Sequence, residues 1–335
     1  MMDVTLVIPA KNAGPVLRQC LDAVAPIVGA QVRQIILVDD GSTDDTVAIA
    51  KSYGVHVVHS PQLGPGGARN LGWQAADSPL VWFIDSDCVA QPDALTLLLA
   101  HLTSDGVAGV GGSYGNMRPD STLACLVHEE IIARHRRMSA DVDYLATYNV
   151  VYRRDALEKV NGFDEGNFNG PGAPGAEDIE LAFRLHDAGY RLRFEPRSIV
   201  GHYHPTRLSR YLRSQRLHGF FRVNLYLHHH GRAAGDAYSG LLDHLQPPLA
   251  MLILASLSLA LFGWHWLAIP LVLSMALALM QIPVARRLIA QTGSWRYALY
   301  VPLGWLRAFA RGIGMSLATL QFLVKGKQPM RLARK

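Results

Sequence analysis

The sequence predicts an α/β protein: a mostly parallel sheet covered by helices, followed by a transmembrane helical hairpin and amphipathic interfacial helices. Three observations lead there. Short apolar runs alternate with helix-like segments from Val4 to Ile84. From Pro248 to Pro283, 36 residues pass without an Asp, Glu, Lys or Arg. Charge is also split along the chain, with 16 Lys and Arg against 25 Asp and Glu in residues 1–200 but 16 against 2 in residues 201–335.

Each strand is legible by its residue types. Val4-Thr5-Leu6-Val7-Ile8-Pro9 is a β-branched run closed by proline, and Gln34–Val38, Val55–Val58 and Leu80–Ile84 follow the same pattern. Helices are expected over Val16–Val28, from about Asp44 to Ser52 with Ser42 or Thr43 as cap, and around Ala68–Ala76. Gly64-Pro65-Gly66-Gly67 reads as a plain glycine-rich turn. Alternation of this kind implies a parallel sheet buried on both faces, with ligands beyond the C-terminal strand ends. The polar clusters fall at those ends: Pro9 to Asn12, Asp39-Asp40, and Asp85-Ser86-Asp87.

At 335 residues, 50 % apolar and 18 % charged, the chain has material for a large core and is not a disordered polymer. Cys20, Cys88 and Cys125 have no paired spacing, which excludes a disulfide scaffold and a zinc ribbon. No basic segment precedes an apolar one at the start, so no cleaved secretory signal is expected and the front half belongs in the cytoplasm. GxGxxG after the first strand and GxxxxGK[ST] are both missing, against a dinucleotide oxidoreductase or a P-loop NTPase.

The basic, apolar back half suits a membrane rather than nucleic acid. The charge-free stretch is too long for one span of a hydrocarbon core of roughly 30 Å and divides at Gly263-Trp264-His265-Trp266 into two. Arg286 and Arg287 after the second span, and many Arg before the first, put both ends in the cytoplasm. The localisation read is thus multi-pass, in an inner or plasma membrane, with the front domain cytoplasmic. Tyr297–Val324, with Arg307 and Arg311 on one face, reads as a helix in the cytoplasmic interface, a third span being the alternative. Residues 206–232 interleave Arg207, Arg210, Arg213, Arg216 and Arg222 with apolar residues, fit for anionic headgroups or for a solvated helix. His228-His229-His230 reads as a surface loop. The expected divisions are 1–205, an amphipathic linker 206–246, two spans in 247–285, and an interfacial helix with a basic tail in 286–335.

Asp85-Ser86-Asp87 at a strand end offers oxygens to a hard divalent ion, taking the segment as extended so that both carboxylates point one way. Together with Val7-Ile8-Pro9-Ala10-Lys11-Asn12, Val38-Asp39-Asp40-Gly41-Ser42-Thr43-Asp44, Gly67-Ala68-Arg69-Asn70 and Glu177-Asp178, it resembles family-2 glycosyltransferases of the GT-A fold. The resemblance covers residues 4 to about 205. It implies inverting transfer of a sugar from a nucleotide-diphosphate donor, a UDP-sugar favoured, assisted by Mg2+ or Mn2+. The acceptor expected at a membrane is lipid-linked or a glycan. Donor contacts fall on Pro9, Ala10, Asn12, Asp39, Asp40, Arg69 and Asp85, with Asp40 accepting from the base. Lys11 stands where many relatives have an aromatic residue. For Arg69, a place near the diphosphate and a structural ion pair both stand open. The metal ligands implied are Asp87, Asp85 and His202, with His204 a weaker candidate. Asp178 is the implied base, with Glu177 beside it or orienting the acceptor, and Asn149 faces the acceptor pocket. Competing readings are a processive polysaccharide synthase, an inactive nucleotide-sugar-binding scaffold, and a nucleotidyltransferase. Gln215-Arg216-Leu217-His218-Gly219 lacks the Trp of the synthase motif.

Overall fold

The computed structural model describes residues 3–166, 168, 175–229 and 240–325. Most of the glycine-rich stretch before Glu177, the basic tail beyond Lys325, and His230 of the histidine run lie outside the described residues. The chain divides into two compact units, one of residues 1–117 and 135–203, the other of 118–134 and 204–330. The division thus falls near residue 204, with residues 118–134 as an excursion grouped with the later part of the chain.

In the first unit, β1 (Val4–Ala10) lies between β2 (Val32–Asp39) and β4 (Leu80–Ile84), with β3 (His56–His59) outside β2, all parallel. Beyond β4 the sheet turns mixed. β8 (Asn149–Arg153) runs antiparallel to β4 and to β6 (Val107–Asn116), and β9 (Arg191–His202) runs parallel to β6. β5 (Cys88–Ala90) and β7 (Asp141–Val142) add antiparallel pairings to β9. The expectation of a mostly parallel sheet therefore describes the β3-β2-β1-β4 half, and the other half departs from it.

Alternating side chains explain why both faces are covered. Leu6, Ile8, Leu37, Trp82 and Ile84 join one core with Leu17 and Leu21 of α1 (Gly14–Val24), Ile49 of α2 (Thr46–Ser52), and Leu95 and Leu98 of α4 (Ala94–Leu99). Val7, Ile36, Val38, Val81 and Phe83 join the opposite core with Ala68 and Trp73 of α3 (Gly64–Gln74). Leu157 of α6 (Arg154–Lys159) and Leu181 of α7 (Glu177–Asp187) complete it. Each such side chain withdrawn from water stabilises by about 1.5–3 kcal/mol.

Two local expectations are corrected. The Gly64-Pro65-Gly66-Gly67 run is the first turn of α3 rather than a turn before it. Proline suits a first helical turn, where its missing N–H has no partner to lose. Helix α2 starts at Thr46 without a side-chain cap, because Ser42 is used elsewhere: its hydroxyl accepts the Asn12 N–H at 2.9 Å.

In the second unit, α5 (Thr122–His135), α8 (Leu208–His228) and α12 (Tyr300–Lys325) build a helical core around Cys125, Leu126, Tyr211, Leu288, Tyr300 and Leu303. Helices α8 and α12 pack backbone to backbone. A Cβ on Gly219 would meet the Arg311 carbonyl oxygen at 2.2 Å, and one on Gly314 would meet that of Arg216 at 1.9 Å. Arg307 and Arg311 are both taken up by protein partners. Arg307 is buried and donates to Glu130, which Arg134 also grips at 2.8 Å, and Arg311 donates to Gln215 at 2.8 Å. Burial alone would push the Glu130 carboxyl up, but Arg307 and Arg134 pull it down to about 2. On α8, Tyr211, Phe220, Phe221 and Leu225 turn inward while Arg207, Arg210, Arg213 and Arg216 are exposed.

Two segments are long and apolar enough to cross a membrane, Leu241–Phe262 and Trp264–Thr292. The first consists of α9 (Leu241–Ser256) and a 3-10 stretch; the second contains α10 (Ala268–Leu279) and α11 (Ile282–Thr292). They part at Gly263, whose φ of +140° ends the first. Leu261, Phe262 and Trp264 there are 88 %, 78 % and 83 % exposed, large apolar side chains left without protein cover.

Candidate active site

The site starts from the loops after β1 and β2. Asn12 (φ +52°) accepts the Thr43 N–H at 2.8 Å through its side chain, and Gly14 N–H reaches Asp44 at 3.0 Å. These bonds stitch the two loops together, so Asn12 spends its carbonyl oxygen on structure. Pro9 and Ala10 close β1, and the Ala10 carbonyl accepts the Asp40 N–H at 2.8 Å. Asp39 is buried, accepting the Ser42 N–H at 3.0 Å with His59 Nδ1 3.4 Å from its other oxygen. Asp40, also buried, accepts the Ser60 hydroxyl at 2.6 Å and the Gly64 N–H at 3.1 Å, with Lys11 Nζ 4.0 Å away. Gly64 sits at φ +82°, a conformation that suits glycine, and this turn aims its N–H at Asp40. A carboxylate accepts about four hydrogen bonds, so Asp40 retains capacity.

Helix α3 links this corner to the next. Arg69 lies five residues after Gly64, about 7.5 Å further along the axis. Only 4 % exposed, it donates from Nη2 to Asp85 at 2.8 Å and from Nη1 to Glu177 at 3.0 Å. Its guanidinium also lies 5.8 Å from the centre of the Phe163 ring. Asn70, the next residue, accepts the Phe163 N–H and donates to the Phe163 carbonyl, both at 2.8 Å, fixing the approach to α7.

Helix α7 opens with Glu177-Asp178. Glu177 is buried and accepts the Gly175 N–H at 3.1 Å; a Cβ on Gly175 would sit 1.6 Å from the Phe168 carbonyl oxygen, so glycine alone fits. Burial raises the Glu177 carboxyl, with Arg69 pulling against it. Asp178 is half-buried, and burial together with the Glu177 charge raises its carboxyl to about 7.

The two acids of Asp85-Ser86-Asp87 are divided. Cys88 N–H returns to the Asp85 carbonyl at 2.9 Å, making a turn rather than an extended strand. Asp85 consequently faces Arg69, while Asp87 approaches His202, Oδ2 to Nε2 3.6 Å. The sequence grouped Asp85 with the metal ligands; the cluster among the described residues whose ligand atoms all lie within 4.8 Å of one another is Asp87, Cys88 and His202. This oxygen, sulfur and nitrogen set is fit to hold a divalent cation. His202 sits at the end of β9, opposite Cys88 in the β5 register, with the Tyr114 ring 4.8 Å away and Tyr148 stacked on Tyr114 at 3.5 Å.

Two further expectations are corrected. Asn149 is fully buried rather than pocket-facing: it accepts the Trp82 indole N–H at 3.0 Å and donates to the Ser198 hydroxyl at 3.0 Å. His204 falls in the second unit, where its ring nitrogen lies 3.3 Å from that of His128. Cys88, Ser60, Phe163 and Tyr114 were missed as parts of the site. Only Cys88 had a signal, its place directly after Asp87.

Residues 5–160 match the family described as Glycosyl transferase family 2. The pre-mycofactocin glycosyltransferase of Mycobacterium tuberculosis is 30 % identical over 259 residues, 71 % of this chain and 50 % of that protein. The O-antigen chain rhamnosyltransferase RfbN of Salmonella typhimurium is 29 % identical over 223 residues, 61 % of this chain and 67 % of that one. The chain spans about half the length of the first of these relatives. Among solved structures, the mannosyltransferase PcManGT from Pyrobaculum calidifontis in complex with GDP-Man and Mn2+ has a TM-score of 0.59. The match covers 93 % of this chain and 86 % of that one at 18 % identity, a likeness of fold.

Proposed function

This chain belongs to glycosyl transferase family 2, and on that premise we propose that it is an inverting, divalent-cation-dependent glycosyltransferase held at a membrane. In this reading it moves a sugar from a nucleotide-diphosphate donor to a lipid-linked or glycan acceptor on the cytoplasmic face. The observation that carries the reading is the Arg69 fork. One buried guanidinium binds both Asp85, after β4, and Glu177, at the start of α7, so the donor-side loop and the base-bearing helix form one site.

The loops ending in Ala10, Asp39 and Asp40 receive the nucleoside, and Asp40 accepts an imide N–H, which favours a UDP-sugar. Asp87 and His202 would hold Mg2+ or Mn2+, which would supply charge to offset that of the departing diphosphate. Asp178 accepts the acceptor hydroxyl proton while that oxygen attacks the anomeric carbon opposite the leaving phosphate. Its raised carboxyl suits a base, since it takes a proton readily near neutral pH. Glu177, locked to Arg69 and Gly175, keeps the first turn of α7 in place. Membrane attachment rests on the two apolar segments and the bare side chains between them. Tethering beside a lipid-borne acceptor would make the encounter local.

The test is to incubate membranes carrying the full chain with labelled UDP- and GDP-sugars, with and without EDTA. Nucleoside diphosphate release and the lipid extract are then followed. Release that needs a divalent ion and is lost in Asp178→Asn is expected; no release with any donor overturns the reading. Label found in water-soluble product alone removes the lipid-linked acceptor.

A further inference from the structure

We propose that Cys88 is a third protein ligand of the cation site, and that the site therefore holds thiophilic divalent ions such as Co2+ and Zn2+ in preference to Mg2+. The inference rests on the reading that Asp87 and His202 hold a divalent ion, and adds to it a ligand and a selectivity.

The backbone makes the grouping. Cys88 stands directly opposite His202 in the antiparallel β5–β9 register, which puts both side chains on one face of the ladder. The Asp85–Cys88 turn brings Asp87 to the same place. The Sγ of Cys88 is 4.0 Å from Asp87 Oδ1, and Asp87 Oδ2 is 3.6 Å from His202 Nε2. Two donors bound to one tetrahedral ion at ordinary metal–sulfur and metal–oxygen lengths lie about 3.6 Å apart. The sulfur–oxygen pair closes within a few tenths of an ångström; the three ligand atoms lie within 4.8 Å of one another, so gathering all of them takes about 1 Å at most, within reach of side-chain rotation. On coordination the thiol proton leaves to solvent and the ion takes its place.

A buried cysteine is commonly a small apolar filler, and Cys88 does border the core formed with α1. Cys20 supplies the comparison within this molecule. It is equally buried in that core and its thiol lies 3.9 Å from the Asp85 carbonyl, yet it does not belong to the ligand group. Carboxylate and water alone would suit Mg2+; adding imidazole and thiolate moves the preference toward Co2+ and Zn2+.

The experiment is Co2+ titration of the purified full chain in detergent, followed by absorption spectroscopy. The variants are Cys88→Ser, Cys20→Ser and Asp87→Ala, with circular dichroism to confirm that each is folded. Expected is a near-ultraviolet thiolate-to-cobalt charge-transfer band together with visible ligand-field bands. Cys88→Ser loses the first and keeps the second, and Cys20→Ser keeps both. Mg2+ displaces Co2+ more readily from Cys88→Ser than from the parent; equal displacement overturns the selectivity. Visible bands that vanish in Asp87→Ala, without a charge-transfer band in the parent, overturn the Cys88 ligand and leave the cation site standing. A parent protein that binds no Co2+ removes that cation site as well, while donor turnover is judged separately by nucleoside diphosphate release.

Discussion

Replacing Arg69 by methionine removes a cation that holds two carboxylates, and the cost follows from how differently the two are buried. The Glu177 side chain is 6 % exposed, whereas that of Asp85 is 33 % exposed and can rehydrate. Most of the penalty therefore falls on Glu177, which is left as an uncompensated buried charge or must take up a proton. Breaking such a pair from one side costs about 3–5 kcal/mol. The double variant Arg69→Met/Glu177→Gln removes both charges and should recover about half of that loss or more, because an apolar and a neutral polar group replace an orphaned ion. Arg69→Lys should rescue poorly, since one ammonium cannot present two separated nitrogens to Asp85 and Glu177. Denaturant unfolding of the parent, Arg69→Met, Glu177→Gln and the double variant provides the cycle, with Arg69→Lys measured beside it, and nucleoside diphosphate release reports the site. A single variant within about 0.5 kcal/mol of the parent, or a double variant no better than the single, would refute the reasoning.

Three further outcomes are expected. Because Asp178 is held up at about 7 by burial and Glu177, and a base must be ionised to accept a proton, kcat/KM should fall as pH drops through that value, by roughly tenfold per unit below it; a profile flat across this range removes Asp178 as the base. Gly175→Ala drives a Cβ into the Phe168 carbonyl and displaces the N–H that Glu177 accepts, so it should cost about 1–3 kcal/mol in unfolding assays and abolish turnover, whereas a wild-type melting curve would show that the loop has room. Glu130, pulled down to about 2 from an ordinary 4.5, contributes stability that is present above the higher value and lost as pH falls toward the lower one. Glu130→Gln should erase that acid limb, and an unchanged acid transition would count against the Arg307–Glu130–Arg134 cluster.

The legible half of the fold is the half whose local sequence states its own environment. β4 is an unbroken apolar run, and β1 and β2 are apolar over Leu6–Ile8 and Ile35–Val38, because the sheet is covered on both faces there; β4 lies at Leu80–Ile84 as read. β6 could not be read in the same way. Its glycines look like loop, yet Gly109 leaves room for the Tyr152 ring and Gly112 for Asn149 and Ser198, neighbours remote in sequence. The first turn of α3 was hidden for a related reason. Three glycines among four residues argue against helix locally, and Asp40, which accepts the Gly64 N–H, lies 24 positions away. Tyr297–Val324, with Arg307 and Arg311 on one face, reads as an interfacial helix because a third span would carry the basic tail across the membrane. The partners of the two arginines, Glu130 at a separation of 177 residues and Gln215 at 96, are visible only once the chain has folded.

Site residues show the same boundary between identity and role. The motif acids stand at strand ends and at a helix start, but the direction of each carboxylate depends on backbone turns. The Asp85–Cys88 turn sends the acids of one tripeptide to different partners, which reading the segment as extended could not foresee. Burial favours the ion-pair reading of Arg69. With 4 % exposure and two terminal nitrogens already given to Asp85 and Glu177, its guanidinium has little surface for a diphosphate to reach. An arginine so placed serves the site by position: it cancels charge between two acids that would otherwise repel, and so ties the segment after β4 to the start of α7. On the proposed reading, the charge that meets the diphosphate is that of a cation held by Asp87 and His202, whose side chains are 37 % and 19 % exposed against 5 % for that of Arg69.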